Sequence, residues 1–120
     1  GCGPTCIAMV AKVSYEKARR AAIKVAGFVP GGGGMMLYSV QKVLKHFKIE
    51  SVLFHSQPKD WRELPALAIV SVIDPSTGFG HGVVFVREND SELIYDSNND
   101  RPVSCDHYEL PPNGAYLEIL

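Results

Sequence analysis

The apolar residues of this chain change period near Glu50, and that change constrains the fold more than any other feature of the sequence. Before Glu50 they recur every three to four positions, as on one face of a helix. Cys2, Cys6, Met9 and Val13 form one such stripe, on a helix that opens near Pro4, where a fixed φ suits the first turn. Ser14 predicts the N-cap of a second helix, with Ala18, Ala21, Ala22 and Val25 turned inward and Glu16, Lys17, Arg19, Arg20 and Lys24 in water. Gly27 predicts its end. After the break at Pro30 and Gly31 to Gly34, a third helix follows from Leu37, Val40, Val43, Leu44 and Phe47, with Lys42, Lys45 and Lys48 on its outer face.

Beyond Glu50 the pattern becomes short runs rich in β-branched residues, bounded by Pro, Gly, Asn or Asp. The runs Val52 to His55, Ala66 to Ile73, Gly82 to Arg87, Glu92 to Tyr95 and Ala115 to Leu120 predict strands. Glu88-Asn89-Asp90-Ser91 suits a hairpin loop joining two of them. Helices first and strands second predict an α+β domain, with N-terminal helices packed on a mostly antiparallel β-sheet. At 120 residues, 46% of them apolar, the chain can bury one core, so residues 1–120 are expected to form a single domain. The longest apolar stretch, Leu64 to Ile73, is interrupted by Pro65 and is far short of the roughly 20 residues of a membrane helix. No basic segment followed by an apolar one opens the chain, so a soluble protein without a signal peptide is expected. The net charge of -1 hides an asymmetry: residues 1–49 hold eight Lys or Arg against one Glu, and residues 50–120 hold four against twelve Asp or Glu. Such a split can mark an anion-binding surface, but two lobes that attract each other, with solvated charge on helix faces, are the expectation.

The three cysteines, Cys2, Cys6 and Cys105, form no Cys-x-x-Cys pair and have no His at zinc-ligand spacing. Neither a disulfide framework nor a metal is expected, and the thiols call for another explanation. A nucleophilic thiol needs its thiolate favoured, and a helix N-terminus and a neighbouring imidazole are the two usual means. Cys2 has the first by position, between Gly1 and Gly3, although a small buried residue is the plainer alternative. His81, in Gly78-Phe79-Gly80-His81-Gly82, opens an apolar strand and can supply the second; its alternative is a core histidine bonded to a carbonyl. Asp96 closes the next strand across the hairpin, where it can accept from the imidazole and fix its tautomer, with Asn98 in reserve. An ordinary turn cluster is the alternative there. Cys6 falls one turn into the helix and is expected to be shielded. Cys105 beside His107, His46 and His55 are taken as incidental, Trp61 as an anchor to the core, and the glycine run as a flexible rim rather than a phosphate loop.

Cys2-Gly3-Pro4-Thr5-Cys6-Ile7-Ala8-Met9, Gly80-His81-Gly82-Val83-Val84 and Tyr95-Asp96 resemble, in order and separation, the three motifs of the papain-like peptidases that process bacteriocin precursors after a double-glycine leader. The resemblance implies a papain-like fold, with Cys2 as nucleophile, His81 as general base and acid, and Asp96 as orienting carboxylate. It departs from the family at two points. The family's oxyanion-hole Gln stands several residues before the nucleophile, where this chain begins one residue before it, and nothing in the sequence places Gln41 or Gln57 near Cys2. Ser97 also stands where the family usually has Pro.

These residues lead to a cysteine peptidase acting on a peptide or protein through an acyl-enzyme, without cofactor or metal. A second class keeps the site and changes the substrate: a bacterial toxin or effector domain acting as glutamine deamidase, transglutaminase-like enzyme or nuclease, delivered within a larger protein and met by an inhibitor or immunity protein. Few aromatic residues stand among the basic ones of the first half, which disfavours a nucleic-acid partner without excluding it. A third class is a non-catalytic binding module of the same fold. In the enzymatic classes the substrate is expected between helices and sheet, over Gly80 and Gly82, with the Cys2 sulfur within about 6 Å of the His81 ring.

Overall fold

In the computed structural model, which describes residues 2–32, 35–73, 78, 80–97 and 101–120 and of Cys2 only the backbone, three helices come first: α1 (Cys2–Ala11), α2 (Tyr15–Ala26) and α3 (Leu37–His46). The ends of α2 follow local chemistry. Ser14 is extended and its Oγ accepts from the Lys17 N–H at 3.1 Å, while Gly27, at φ 67°, takes the left-handed conformation that returns its N–H to the last carbonyls. No side chain caps α3, which starts from an extended Met36.

The inward faces differ from expectation at two residues. Met9 is 37% exposed and Val25 36% exposed. The chain turns out of α1 at Lys12, φ 57°, so Val13 packs against the same core from beyond the helix. Because α1 is wedged against α2, α3 and the sheet, its buried face is wider than a four-three-four stripe and centres on Gly3, Cys6 and Ile7. At the end of α2, Ala26 and Phe28 pack inward in place of Val25.

Among the described residues six strands form one sheet: β1 (Ser51–Phe54), β2 (Leu67–Ile73), β3 (Gly80–Glu88), β4 (Ser91–Tyr95), β5 (Val103–Ser104) and β6 (Tyr116–Ile119), in the order β1-β6-β2-β3-β4-β5. Every pairing is antiparallel. The β3–β4 hairpin turns on Asn89 (φ 51°) and Asp90 (φ 69°), between Glu88 and its partner Ser91. Two successive left-handed residues give the turn whose twist matches the strands, and Asn and Asp tolerate it better than other side chains. Two-residue β5 and the 3-10 turns at Trp61–Glu63 and Cys105–His107 escape sequence reading, because such short pieces carry no period.

Both faces of the sheet are covered. On the first, Ile69, Val84 and Leu117 pack against Cys6, Ile7, Val40 and Leu44 of the helices. On the second, Val70, Val72, Val83 and Phe85 pack under Leu64, Trp61, Tyr108 and Leu110. That explains why β2 and β3 read as nearly unbroken apolar runs rather than alternating ones. The second cover is tied down by Arg87, whose guanidinium donates to the carbonyls of Leu64 (2.9 Å), Trp61 (3.1 Å) and Arg62 (3.0 Å) and to Glu92 Oε2 (3.0 Å). Trp61 stacks on Phe85 at 5.6 Å. Among the described residues no helix is long and apolar enough to cross a membrane.

Arg87→Ala removes the guanidinium donor from those carbonyls, of which that of Trp61 keeps the Leu64 N–H, so it should lower stability by about 2 kcal/mol, partial exposure of the group keeping the loss moderate. Urea denaturation monitored by Trp61 fluorescence measures it; an unchanged midpoint would show that the second cover holds without the pin.

Candidate active site

His81 is placed by register. It pairs with Val72 across β2, and so stands on the second face of the sheet with Val83 and Phe85, while Gly82 and Val84 face the helices. On the other side, Val84 pairs with Tyr95, the last residue of β4. Continued one residue, that register sets Asp96 beside Val83, two positions diagonal from His81 and on the same face, within reach of long side chains. The structure brings the two together: His81 Nε2 lies 2.5 Å from Asp96 Oδ1, with 12% of the His81 side chain and 3% of the Asp96 side chain exposed. A buried carboxylate needs donors on its oxygens. Asp96 has a second one, since the Tyr108 hydroxyl donates to Oδ2. With Nε2 bound to Asp96, proton exchange with any reacting group must use Nδ1.

α1 approaches this end of β3 from the first face. Cys6 is buried, and its Sγ donates to the Gly82 carbonyl at 3.6 Å. Cys2 opens the helix four residues earlier, about 6 Å along its axis. Its side chain lies outside the described residues, and the separation between its sulfur and the His81 ring lies outside them too. Met35 packs directly on the first turn of α1: a Cβ at Gly3 would come within 2.7 Å of Met35 Sδ and force that side chain to shift.

Between helices and sheet opens a cavity of about 410 Å³. The helical side contributes Gly3, Cys6, Met35, Met36, Leu37, Tyr38 and Val40, and the sheet side contributes Leu53, His55, Ile69, Ser71, Ala115 and the triplet Gly80-His81-Gly82. A Cβ on Gly80 would meet nothing within 4 Å, so this edge is open. The first turn of α1 and His81 thus border one space.

Other candidate residues fall elsewhere. Asn98 and Phe79 lie outside the described residues, as do Gly33 and Gly34 of the glycine run. Gln41 donates to the Ser51 carbonyl at 3.0 Å, and Gln57 to the carbonyls of Ser71 (2.8 Å) and Pro111 (3.2 Å), so both amides hold backbone connections and neither borders the cavity. Cys105 and His107 lie on a 3-10 turn rather than on one face of a strand, and His107 Nδ1 contacts the Ser104 carbonyl at 3.2 Å. Burial, then the charges of Glu92 and Asp106, push the Cys105 thiol up to about 11. His46 ends α3 edge-on to Phe47 at 5.2 Å. Sequence reading missed two residues: His55, which borders the cavity, and Tyr108, which completes the partners of Asp96. His55 closes a predicted strand but stands beside no motif, and Tyr108 has neither signal. Among the described residues no group of three or more His, Cys, Asp or Glu could hold a metal ion.

No protein-family model matches the chain, and no curated protein matches it.

With its thiol at about 11, Cys105 should present about a hundredth of the thiolate of an ordinary cysteine at neutral pH. Peptide mapping after brief iodoacetamide treatment should find Cys105 labelled far more slowly in the folded protein than in denaturant. Equal rates in the two states would contradict the environment described.

Proposed function

We propose that the chain is a cysteine peptidase, or a closely related amide hydrolase, of papain-like fold, in which Cys2 is the nucleophile, His81 the general base and acid, and Asp96 the orienting carboxylate. The observation that carries this reading is the His81–Asp96 pair at 2.5 Å, whose His81 borders the same cavity as Gly3 in the first turn of the helix that Cys2 opens. The motifs resembling those of double-glycine leader peptidases agree with it.

In the proposed reaction the Cys2 thiol gives its proton to His81 Nδ1, and the sulfur attacks the carbonyl carbon of the scissile amide. The oxyanion that forms is met by backbone N–H groups of the first turn of α1, at the positive end of the helix. Collapse breaks the C–N bond, and the proton on His81 passes to the leaving amine. Water, deprotonated by His81, then attacks the thioester and frees Cys2. Asp96 holds the ring through Nε2 and stabilises the imidazolium throughout. An amine in place of water would make the same site a transferase, and a glutamine side chain as substrate would make it a deamidase. No Lys or Arg borders the cavity among the described residues, which weighs against a phosphate-rich substrate.

Alkylation tests the nucleophile. Cys2 should react with iodoacetamide before Cys6 and Cys105, and His81→Ala should slow that reaction at pH 6 to 7 by tenfold or more, in a variant that remains folded. Cys6 or Cys105 reacting first would overturn the assignment. On a peptide substrate, Asp96→Ala should lower kcat/KM less than His81→Ala does, because the ring can still transfer protons without its orienter.

The cavity wall sets a preference as well. Met35, Met36, Leu37, Leu53 and Ile69 offer an apolar surface, so a substrate residue near the scissile bond should be bulky and apolar. In a fluorogenic peptide library, Leu or Met at that position should be cleaved roughly tenfold or more faster than Gly or Asp, as burial of a few methylenes allows. A flat profile would mean that this cavity does not take the substrate.

A further inference from the structure

The Asp96 carboxylate is engaged at both oxygens from opposite sides. Oδ1 meets His81 Nε2 at 2.5 Å, and Oδ2 accepts from the Tyr108 hydroxyl. Tyr108 reaches it from a part of the chain that belongs neither to the helices nor to the β3–β4 hairpin. Its backbone is fixed on both sides: its N–H donates to the Cys105 carbonyl at 3.2 Å, closing the 3-10 turn that Ser104 caps, and the next residue, Glu109, is bridged to Ile73 at the end of β2. Its ring packs into the second core. A ring held in this way points its hydroxyl in one direction, and that direction is Asp96.

We propose that Tyr108 is a positioning residue of the site, which acts through Asp96 on the orientation and basicity of the His81 ring. The proposal rests on His81 being the base. A hydroxyl donated to Oδ2 takes up part of the negative charge of the carboxylate, so Asp96 holds the imidazolium less tightly than it would alone. The same bond stops the carboxylate from rotating about its last side-chain torsion, which fixes the direction in which Oδ1 holds Nε2. Burial alone would require some donor for Asp96. A donor mounted on a ring that is fixed by a separate packed layer also sets where the carboxylate points.

Other titratable groups face the pair. Arg101 and Tyr95 border the hollow on the outer side of Asp96, and Cys6, Tyr38 and His55 border the cavity of His81, with Cys2 opening the adjacent helix. All of them are common to the wild type and to the variants below, so a difference between variants reports Tyr108.

The test is the titration of the His81 ring protons by NMR in the wild type, Tyr108→Phe, Asp96→Asn and the double variant, which needs no substrate. Tyr108→Phe keeps the ring in the second core and removes only the hydroxyl. It should move the His81 midpoint upward by about half a pH unit, and in the Asp96→Asn background it should move it no further. Replacing Tyr108 with a fluorinated tyrosine, whose hydroxyl donates more strongly, should move the midpoint the opposite way, and this near-isosteric change keeps the test sound if Tyr108→Phe loses the fold. An unchanged midpoint in Tyr108→Phe and with the fluorinated ring, or an equal shift with and without the Asp96 carboxylate, would overturn the proposal. Alkylation of Cys2 in the same variants separates this idea from the one beneath it. A shifted midpoint with an unreactive Cys2 would sink the peptidase reading while leaving the Tyr108–Asp96–His81 coupling in place.

Discussion

The pairing of β2 with β3 is the constraint on which the rest of the molecule depends. It runs over seven residue pairs, from Leu67 opposite Val86 to Ile73 opposite Gly80, and it is covered on both faces. A slip of one residue would turn His81 and Val83 toward the helices and Gly82 and Val84 toward Trp61 and Tyr108. Each face has its own cover, built from different side chains, so the register is specified twice. The helical layer needs the close approach of Cys6 to Gly82, and the second layer needs the shape of Phe85 against Trp61. β6 and β4, which add to the outer edges of this pair, inherit the choice.

The two covers meet different needs at the end of β3. On the second face the chain buries a carboxylate, His81 answers one of its oxygens and Tyr108 the other, so the charge is tolerated only because the packing around it is exact enough to deliver both donors. On the first face, the glycines at 80 and 82 keep bulk away, and the start of α1 brings the positive end of a helix to the cavity. In the proposed mechanism, base and orienter come from one layer and nucleophile and oxyanion donors from the other. His81 connects them because the strand that carries it ends where the layers meet.

The charge asymmetry has a local resolution. Among the described residues, apart from His81 with Asp96, the ion pairs join near neighbours: Arg19 and Arg20 with Glu16 at 3.9 and 3.2 Å, Arg62 with Asp60 at 3.1 Å, Arg87 with Glu92 at 3.0 Å. None of these pairs links the helical layer to the sheet, and those on α2 are solvated charge on a helix face, as expected. The exposed pairs on α2 and near Trp61 contribute little to stability, whereas Arg87, which also holds three carbonyls, ties separate segments together. Apolar contact joins the halves.

Features set by short stretches of chain were legible in the sequence. Ser14 and Gly27 bound α2 because capping chemistry acts over three or four residues, and Asn89-Asp90 turn the hairpin because their backbones accept positive φ. His81 and Asp96 could be brought together on paper because only one tight hairpin separates them, so strand alternation carries across it. Met9 and Val25 were misplaced because a helical stripe gives a direction, while the width of the buried face is decided by what packs on it. His55 reaches the cavity, Gln57 clasps Ser71 and Pro111, and Tyr108 reaches Asp96 through contacts whose partners belong to separate elements. No local preference encodes such meetings. They exist only once the sheet has closed its register and both covers are in place, which is why tertiary structure alone decided them.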